Sequence, residues 1–373
     1  MEEVKIEKQE RKKTFDAIRA MATIAVFLFH AGYLLPFSDP SVTNLFSSST
    51  FINLHKLVYI CGTVGVSIFF VLSGFLLFYQ MYKKREALNK DSLKDYFKKR
   101  LLRILPLYYF SIFFIVIFFR SDILTIDGGI KTIIYNLFFA RELHSDGATK
   151  ITINPVYWSL IIEMHFYFIL PIFYYFFYKK QHVFWFGALA LLGILYRVCL
   201  VVFSSHPTMQ FLRLTPANLD FFAFGMLGAY MYVRYRERLQ FLGRKNFQIA
   251  CLVIFMLFIY FYNLDFVPTV AYIFAPTFFG LLASSWIFSF LLNEESSLVK
   301  LFTCKPMLFI ARISFSIYVW HFIVIERLEY VKISNITKFI LSIIITLVFS
   351  TITYYLVEAP FLKLKSKKNV MVV

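Results

Sequence analysis

RAMATIAVFLFHAGYLL, running from Arg19 to Leu35, sets ten consecutive uncharged residues between a cation and a titratable ring, then continues apolar past the ring. A helix that crosses a bilayer needs roughly 20 mostly apolar residues, and residues 15–35 supply them. The fold therefore begins in a membrane. The question is why so oily a segment keeps both Arg19 and His30. A snorkelling arginine at the inner headgroups explains Arg19 alone. His30 fits that explanation poorly, because Ala31–Leu35 extend the span beyond it. Eleven residues also make close to three helical turns, so both side chains leave the same face about 16 Å apart.

The whole chain agrees with the segment. Its 373 residues are 59% hydrophobic and 20% aromatic, with 48 Phe and only 16% charged residues, where a soluble domain carries about 25% charge. The net charge of +17 does not form a nucleic-acid face. It sits in short runs between apolar stretches: ERKK (10–13), YKKREALNK (82–90), FKKRLLR (97–103), RYRERLQFLGRK (234–245) and KLKSKK (363–368). That distribution is the retention of Lys and Arg on the cytoplasmic side of a membrane. Cys61, Cys199, Cys251 and Cys304 are widely spaced, with neither a CxxC nor a His/Cys metal pattern, so packing is their expected role and no metal site is expected. The charged start MEEVKIEKQERKKTF is too long and acidic for a signal peptide, and no small-residue cleavage site follows.

Ten apolar stretches meet the spanning length: 15–35, 59–81, 101–120, 156–178, 183–203, 217–234, 247–264, 267–291, 306–328 and 335–357. With the N-terminus inside, the loops at 82–100, 179–182, 235–246, 292–305 and 358–373 are cytoplasmic and carry nearly all the basic runs. The opposite loops at 36–58, 204–216, 265–266 and 329–334 carry few, and 121–155 is mixed. The expected fold is an all-α polytopic transmembrane bundle of about ten spans with both termini cytoplasmic. One membrane domain, 15–360, lies between a cytoplasmic tail at 1–14 and a basic tail at 361–373. IKTIIYNLFFA (130–140) is too brief to cross and is expected at the outer surface as an interfacial or re-entrant piece.

Polar groups inside spans are costly and default to functional candidates. Counting residues from the expected helix ends places His30, Glu163 and His321 on one layer in the outer half. A carboxylate such as Glu163 in that layer must be protonated or bonded to a donor, and a histidine is a fitting one. His165, two residues on, faces elsewhere. Near the inner boundary stand Arg19, Arg100, Arg103 and Glu358. Arg100 and Arg103, three apart on one helical face, either anchor a helix end or grip phosphate. Gly62, Gly65, Ser67, Ser73 and Gly74 either let helices approach closely or leave a groove for a thin ligand.

Arg19–x10–His30, GTVGVSIFFVLSGF (62–75), RLLRILP (100–106), YWSLIIEMHFY (157–167), SFSIYVWH (314–321) and EAP (358–360) together resemble the acyltransferase-3 family of bacterial multi-spanning O-acyltransferases. The resemblance runs from residue 15 to about 360. It implies transfer of an acyl group, acetyl by family frequency, from cytoplasmic acyl-CoA to a hydroxyl on a carbohydrate or glycolipid beyond the bacterial plasma membrane. His30 matches the family's histidine, Arg19 its arginine, Arg100 and Arg103 its basic pair, and Glu163 its acidic residue. The implied mechanism has Arg19, Arg100 and Arg103 hold acyl-CoA, its thin arm lying beside Ser67 and Ser73. His30, oriented by Glu163, acts as general base. Trp158, Ser159, Ser316 or His321 positions the sugar or donates to the oxyanion. No metal and no permanently bound cofactor is implied, acyl-CoA being a substrate. Some family members carry a hydrolase-like domain after the membrane part, and none is expected after Val373. A lipid-linked sugar flippase with a His/Glu proton relay is the competing class. Against it, the chain shows no duplicated halves.

Overall fold

The computed structural model describes residues 2–35, 48–83, 88–141, 152–180, 182–203, 211–262 and 269–364. Every regular element among them is helical, as the composition requires. In chain order they are α1 (Glu2–Ala31), α2 (Ser48–Tyr82), α3 (Lys90–Phe118), α4 (Gly129–Leu137), α5 (Tyr157–Lys180), α6 (Phe184–Phe203) and α7 (Leu219–Tyr235). There follow α8 (Lys245–Tyr262), α9 (Thr269–Leu292), α10 (Ser297–Phe302), α11 (Lys305–Arg312), α12 (Ser314–Glu329), α13 (Asn335–Thr353) and α14 (Ala359–Leu364), with one π-helical turn at Tyr354–Glu358.

Over their described residues the ten apolar stretches are helical, and among those residues seven helices are long and apolar enough to cross a membrane. The number is eight if α11 and α12, which break at Ile313, form one bent span. The 17 residues of α7 reach about 26 Å, short of the roughly 30 Å hydrocarbon core. The short apolar segment after α3 forms α4, a nine-residue helix that leaves Ile130, Ile134 and Phe138 exposed. Many large apolar side chains are exposed elsewhere, among them Phe113, Ile117 and Phe118 on α3, which suits lipid and not water. Residues 36–47, 84–87, 142–151, 181, 204–210, 263–268 and the basic tail beyond 364 lie outside the described residues.

The helices cluster into two compact units. Unit one is residues 1–86 with 173–314, and unit two is 87–172 with 315–373. In unit one, α1 lies against α2 at Gly65, where a Cβ would meet the Ala22 carbonyl at 2.7 Å. In the same way α2 meets α7 at Gly225, where a Cβ would lie 2.0 Å from the Val71 carbonyl. The small residues of GTVGVSIFFVLSGF thus serve close helix approach at Gly65 and Gly74. A buried ion pair joins α6 to α7. Arg197 Nη2 donates to Asp220 Oδ2 at 2.6 Å, both residues being almost fully buried. Arg197 Nε donates to the Ile273 carbonyl at 2.8 Å and Thr277 to Asp220 Oδ2 at 2.8 Å, so α9 is drawn into the same network.

Unit two has its own register. Tyr96 on α3 donates to the Tyr167 carbonyl on α5 at 3.1 Å, and Ser111 bonds Tyr157 at 2.7 Å, so the two helices run antiparallel. α12 runs parallel to α3, since Phe114 meets Trp320 at 5.4 Å and Arg120 pairs with Glu326 at 2.7 Å. The chain after α12 returns antiparallel to it, with Ser316 bonded to Glu358 at 2.8 Å and Trp320 Nε1 to Thr353 at 3.0 Å. These alternating directions are what successive crossings at 101–120, 156–178, 306–328 and 335–357 require.

Candidate functional site

In unit one, a single unbroken helix carries both residues that opened the sequence reading. α1 runs from Glu2 to Ala31 without a break, so Arg19 and His30 do leave one face three turns apart. His30 Nδ1 lies 3.0 Å from the Val26 carbonyl. A carbonyl only accepts, so Nδ1 carries the proton, and in the neutral ring Nε2 is the basic nitrogen. The backbone of the preceding turn thereby fixes the tautomer a general base needs. Arg19 is paired: its Nη1 donates to Asp16 Oδ1 at 2.9 Å, one turn below. Asp16 was not singled out in the sequence, although an acidic residue three before an arginine on one helix is a standard pairing. Ser67 is buried and Ser73 half-buried on α2.

In unit two the basic pair lies on α3, which the apolar run alone would start near residue 101. α3 instead begins at Lys90, started by a capping box in which the Asn89 side chain accepts from Ser92 N at 2.8 Å and Ser92 Oγ accepts from Asn89 N at 2.9 Å. Arg100 therefore lies ten residues, about 15 Å, inside the helix. It is only 8% exposed. Its guanidinium sits over the Tyr96 ring, 5.9 Å from the centroid. Tyr167 donates to Glu163 Oε1 at 2.7 Å. Arg100, Arg103, Glu163 and Tyr167 fall within one another's electrostatic reach.

The hydroxyl groups expected to meet substrate are engaged within unit two. Ser159 and Tyr318 share a hydrogen bond of 2.5 Å, and both lie within bonding distance of the Val156 carbonyl, at 3.2 and 3.1 Å. Ser316 donates to the buried Glu358 on the π-helical turn. His321 is 1% exposed, its Nδ1 donating to the carbonyls of Tyr318 at 2.8 Å and Ile317 at 3.1 Å. Trp158 is half-buried. These bonds make Ser159 and Ser316 helix-joining groups in the structure, and a direct role toward substrate stays a proposal.

The expected common layer needs correction within this unit. From the Ser159–Tyr318 contact, Glu163 lies one turn along α5, while His321 lies nearly one turn along α12 in the opposite sense. They are about 10 Å apart along the helix axes. The count assumed helices with flush ends, whereas α12 continues eleven residues past Tyr318 and α5 starts only two before Ser159. Glu163 instead shares a level with Arg100. His30 belongs to the other unit.

Two further sites went unnoticed in the sequence. Arg197 and Asp220 are charges inside expected spans, a signal that was there to be read. His165, rightly expected to face away from Glu163, donates Nε2–H to the Phe139 carbonyl at 2.8 Å. Phe139 holds a left-handed φ of 57°, uncommon for an aromatic residue. Tyr108 and Tyr109 donate to the Asn136 and Leu137 carbonyls at 3.0 and 2.9 Å, so ring donors from α3 and α5 cap the end of α4.

Residues 12–355 match the acyltransferase-3 family, described as an acyltransferase domain. The chain is 27% identical to the peptidoglycan O-acetyltransferase OatA of Listeria monocytogenes serovar 1/2a (strain EGD-e) over 94% of its length and 56% of that protein. It is 21% identical to a putative O-acetyltransferase of Staphylococcus aureus (strain MSSA476) over 96% of its length and 58% of that protein. To the O-acetyltransferase OatA of Staphylococcus aureus (strain NCTC 8325) it is 23% identical, over 81% and 53%. The chain thus spans about half the length of these curated relatives. No solved structure matches it. The family match covers nearly the whole chain, and the chain belongs to the acyltransferase-3 family.

Proposed function

We propose that this family member is a multi-pass enzyme of a bacterial plasma membrane. It moves an acyl group, acetyl by preference, from acyl-CoA to a hydroxyl of a cell-envelope carbohydrate. The relatives' names, which include peptidoglycan O-acetylation, support that acceptor class. The observation that carries the reading is His30, held by Val26 in the tautomer that presents a basic Nε2, on the same helical face as Arg19.

In this mechanism Nε2 of His30 takes the proton of the acceptor hydroxyl, and the freed oxygen attacks the thioester carbonyl. The C–S bond breaks, the ester C–O bond forms, and the imidazolium returns its proton to the departing thiolate. Arg19, Arg100 and Arg103 hold the donor's phosphates, Ser67 and Ser73 flank its arm, and Trp158, Ser159, Ser316 and His321 shape the acceptor side. This reading takes about ten spans with both termini inside, so that the donor approaches from the cytoplasmic face.

The test is acetyl transfer by purified protein in nanodiscs, with radiolabelled acetyl-CoA and muropeptide or oligosaccharide acceptors. His30→Ala should abolish transfer, a loss of at least about 100-fold for removing a general base, while the protein stays folded in the membrane. Transfer retained in His30→Ala refutes the base, and a wild type that consumes no acetyl-CoA refutes the activity and favours the flippase.

A further inference from the structure

The α3–α5 register places a second charge relation at the heart of unit two. Tyr96 bonds the backbone of Tyr167. In antiparallel helices the residues one turn further, Arg100 on α3 and Glu163 on α5, then face the same level. On each helix a tyrosine holds the charge: the Arg100 guanidinium lies over the Tyr96 ring, and the Tyr167 hydroxyl donates to Glu163 Oε1 at 2.7 Å. Arg100 lies within electrostatic reach of both Glu163 and Arg103, which stands one turn further along α3.

We propose that Glu163 is the resident counter-ion of Arg100, and that the phosphate group of an incoming ligand displaces it from the guanidinium. Glu163 is then a positioning residue. It keeps Arg100 aimed while the cluster is empty, and it gives way to a ligand whose oxygens pair better with the planar fork. The ligand class is a phosphate or pyrophosphate ester. Two sources carry that chemistry, a phosphate-bearing thioester donor and a phospholipid headgroup. The first of these rests on the function proposed above.

The test measures binding to nanodisc-embedded protein by calorimetry with acetyl-CoA, inorganic pyrophosphate and acetyl-pantetheine, which lacks phosphate. Glu163→Gln suits the purpose because the amide keeps an oxygen for the Tyr167 hydroxyl. It is expected to tighten acetyl-CoA and pyrophosphate about three- to tenfold and to steepen their salt dependence. Acetyl-pantetheine should be unaffected. Arg100→Gln should weaken both phosphate ligands about tenfold and remove the effect of Glu163→Gln in the double variant. Failure of acetyl-CoA alone, with pyrophosphate behaving as expected, overturns the donor and leaves the anion cluster standing. If anionic lipid competes with pyrophosphate in wild type but not in Arg100→Gln, the headgroup is the occupant. Unchanged affinity for every phosphate ligand in Glu163→Gln, with kcat lowered and the pH–rate profile displaced, overturns the proposal and returns Glu163 to the service of a base.

Discussion

Asp220→Ala should strongly destabilise unit one although it touches no proposed site residue. Asp220 Oδ1 accepts from Arg197 Nη1 at 3.2 Å and from Phe221 N at 3.1 Å, while Oδ2 accepts from Arg197 Nη2 at 2.6 Å and from Thr277 at 2.8 Å. Truncation removes all four hydrogen bonds and leaves a guanidinium 1% exposed without its carboxylate. Breaking a buried pair from one side costs about 3–5 kcal/mol. At roughly 2–4 °C per kcal/mol the melting midpoint should fall by about 10 °C. The assay is survival of the monodisperse detergent-solubilised peak after heating. The double variant Arg197→Met/Asp220→Leu leaves no buried charge and should recover more than half of the loss. The Ala217 and Ile273 carbonyls, which Arg197 also serves, account for the remainder. A single variant that melts within about 2 °C of wild type, or a double variant worse than either single, refutes the reasoning.

Gly225→Ala should misfold or lower the yield of folded protein sharply, because the added Cβ would lie 2.0 Å from the Val71 carbonyl and 2.8 Å from Phe75 N, both backbone atoms that cannot turn aside. Gly187→Ala, with nothing within 4 Å, should be neutral in the same solubility and thermal assay and is the control. Asn154→Ala removes the 2.8 Å bond to the Val319 carbonyl from a fully buried site and should cost about 1–3 kcal/mol. Asn154→Asp should be worse in the same melt, because the carboxylate would face that carbonyl with no proton to share.

The sequence made the spanning helices legible because they are long, apolar and punctuated by charge, and hydrophobic length is a one-dimensional property. It made the face shared by Arg19 and His30 legible for the same reason, since one unbroken helix fixes the angle between its own residues. What it hid was the relation between helices. The level of Glu163 depends on how far α3 and α5 slide past each other. The Tyr96–Tyr167 contact sets that slide, and nothing in either segment alone reveals it. The start of α3 was hidden for a different reason. DSLKDYFKK is polar, so an apolar count stops near residue 101, while the Asn89–Ser92 capping box begins the helix ten residues earlier.

The two buried arginines show why burial and charge do not by themselves mark a working site. Arg197 donates from Nε, Nη1 and Nη2 to a carboxylate, a hydroxyl and two carbonyls, and Asp220 is itself completely buried. Such a pair has little to gain from a ligand, because any anion entering would displace bonds that are already short and already dry. Arg100 stacks on an aromatic ring, and the nearby Glu163 carboxylate is half-buried and accepts from a tyrosine hydroxyl. Its exchange for a phosphate trades one partly hydrated partner for another with better fork geometry, so the net cost is small. The same criterion separates the histidines. His321 is sealed and gives its Nδ1–H to two carbonyls, whereas His30 is only half-buried. If this criterion holds, His321→Gln should lower the melting midpoint more than it lowers kcat, and His30→Gln should do the reverse. Equal losses of kcat at matched stability would place both rings in the chemistry and defeat the distinction.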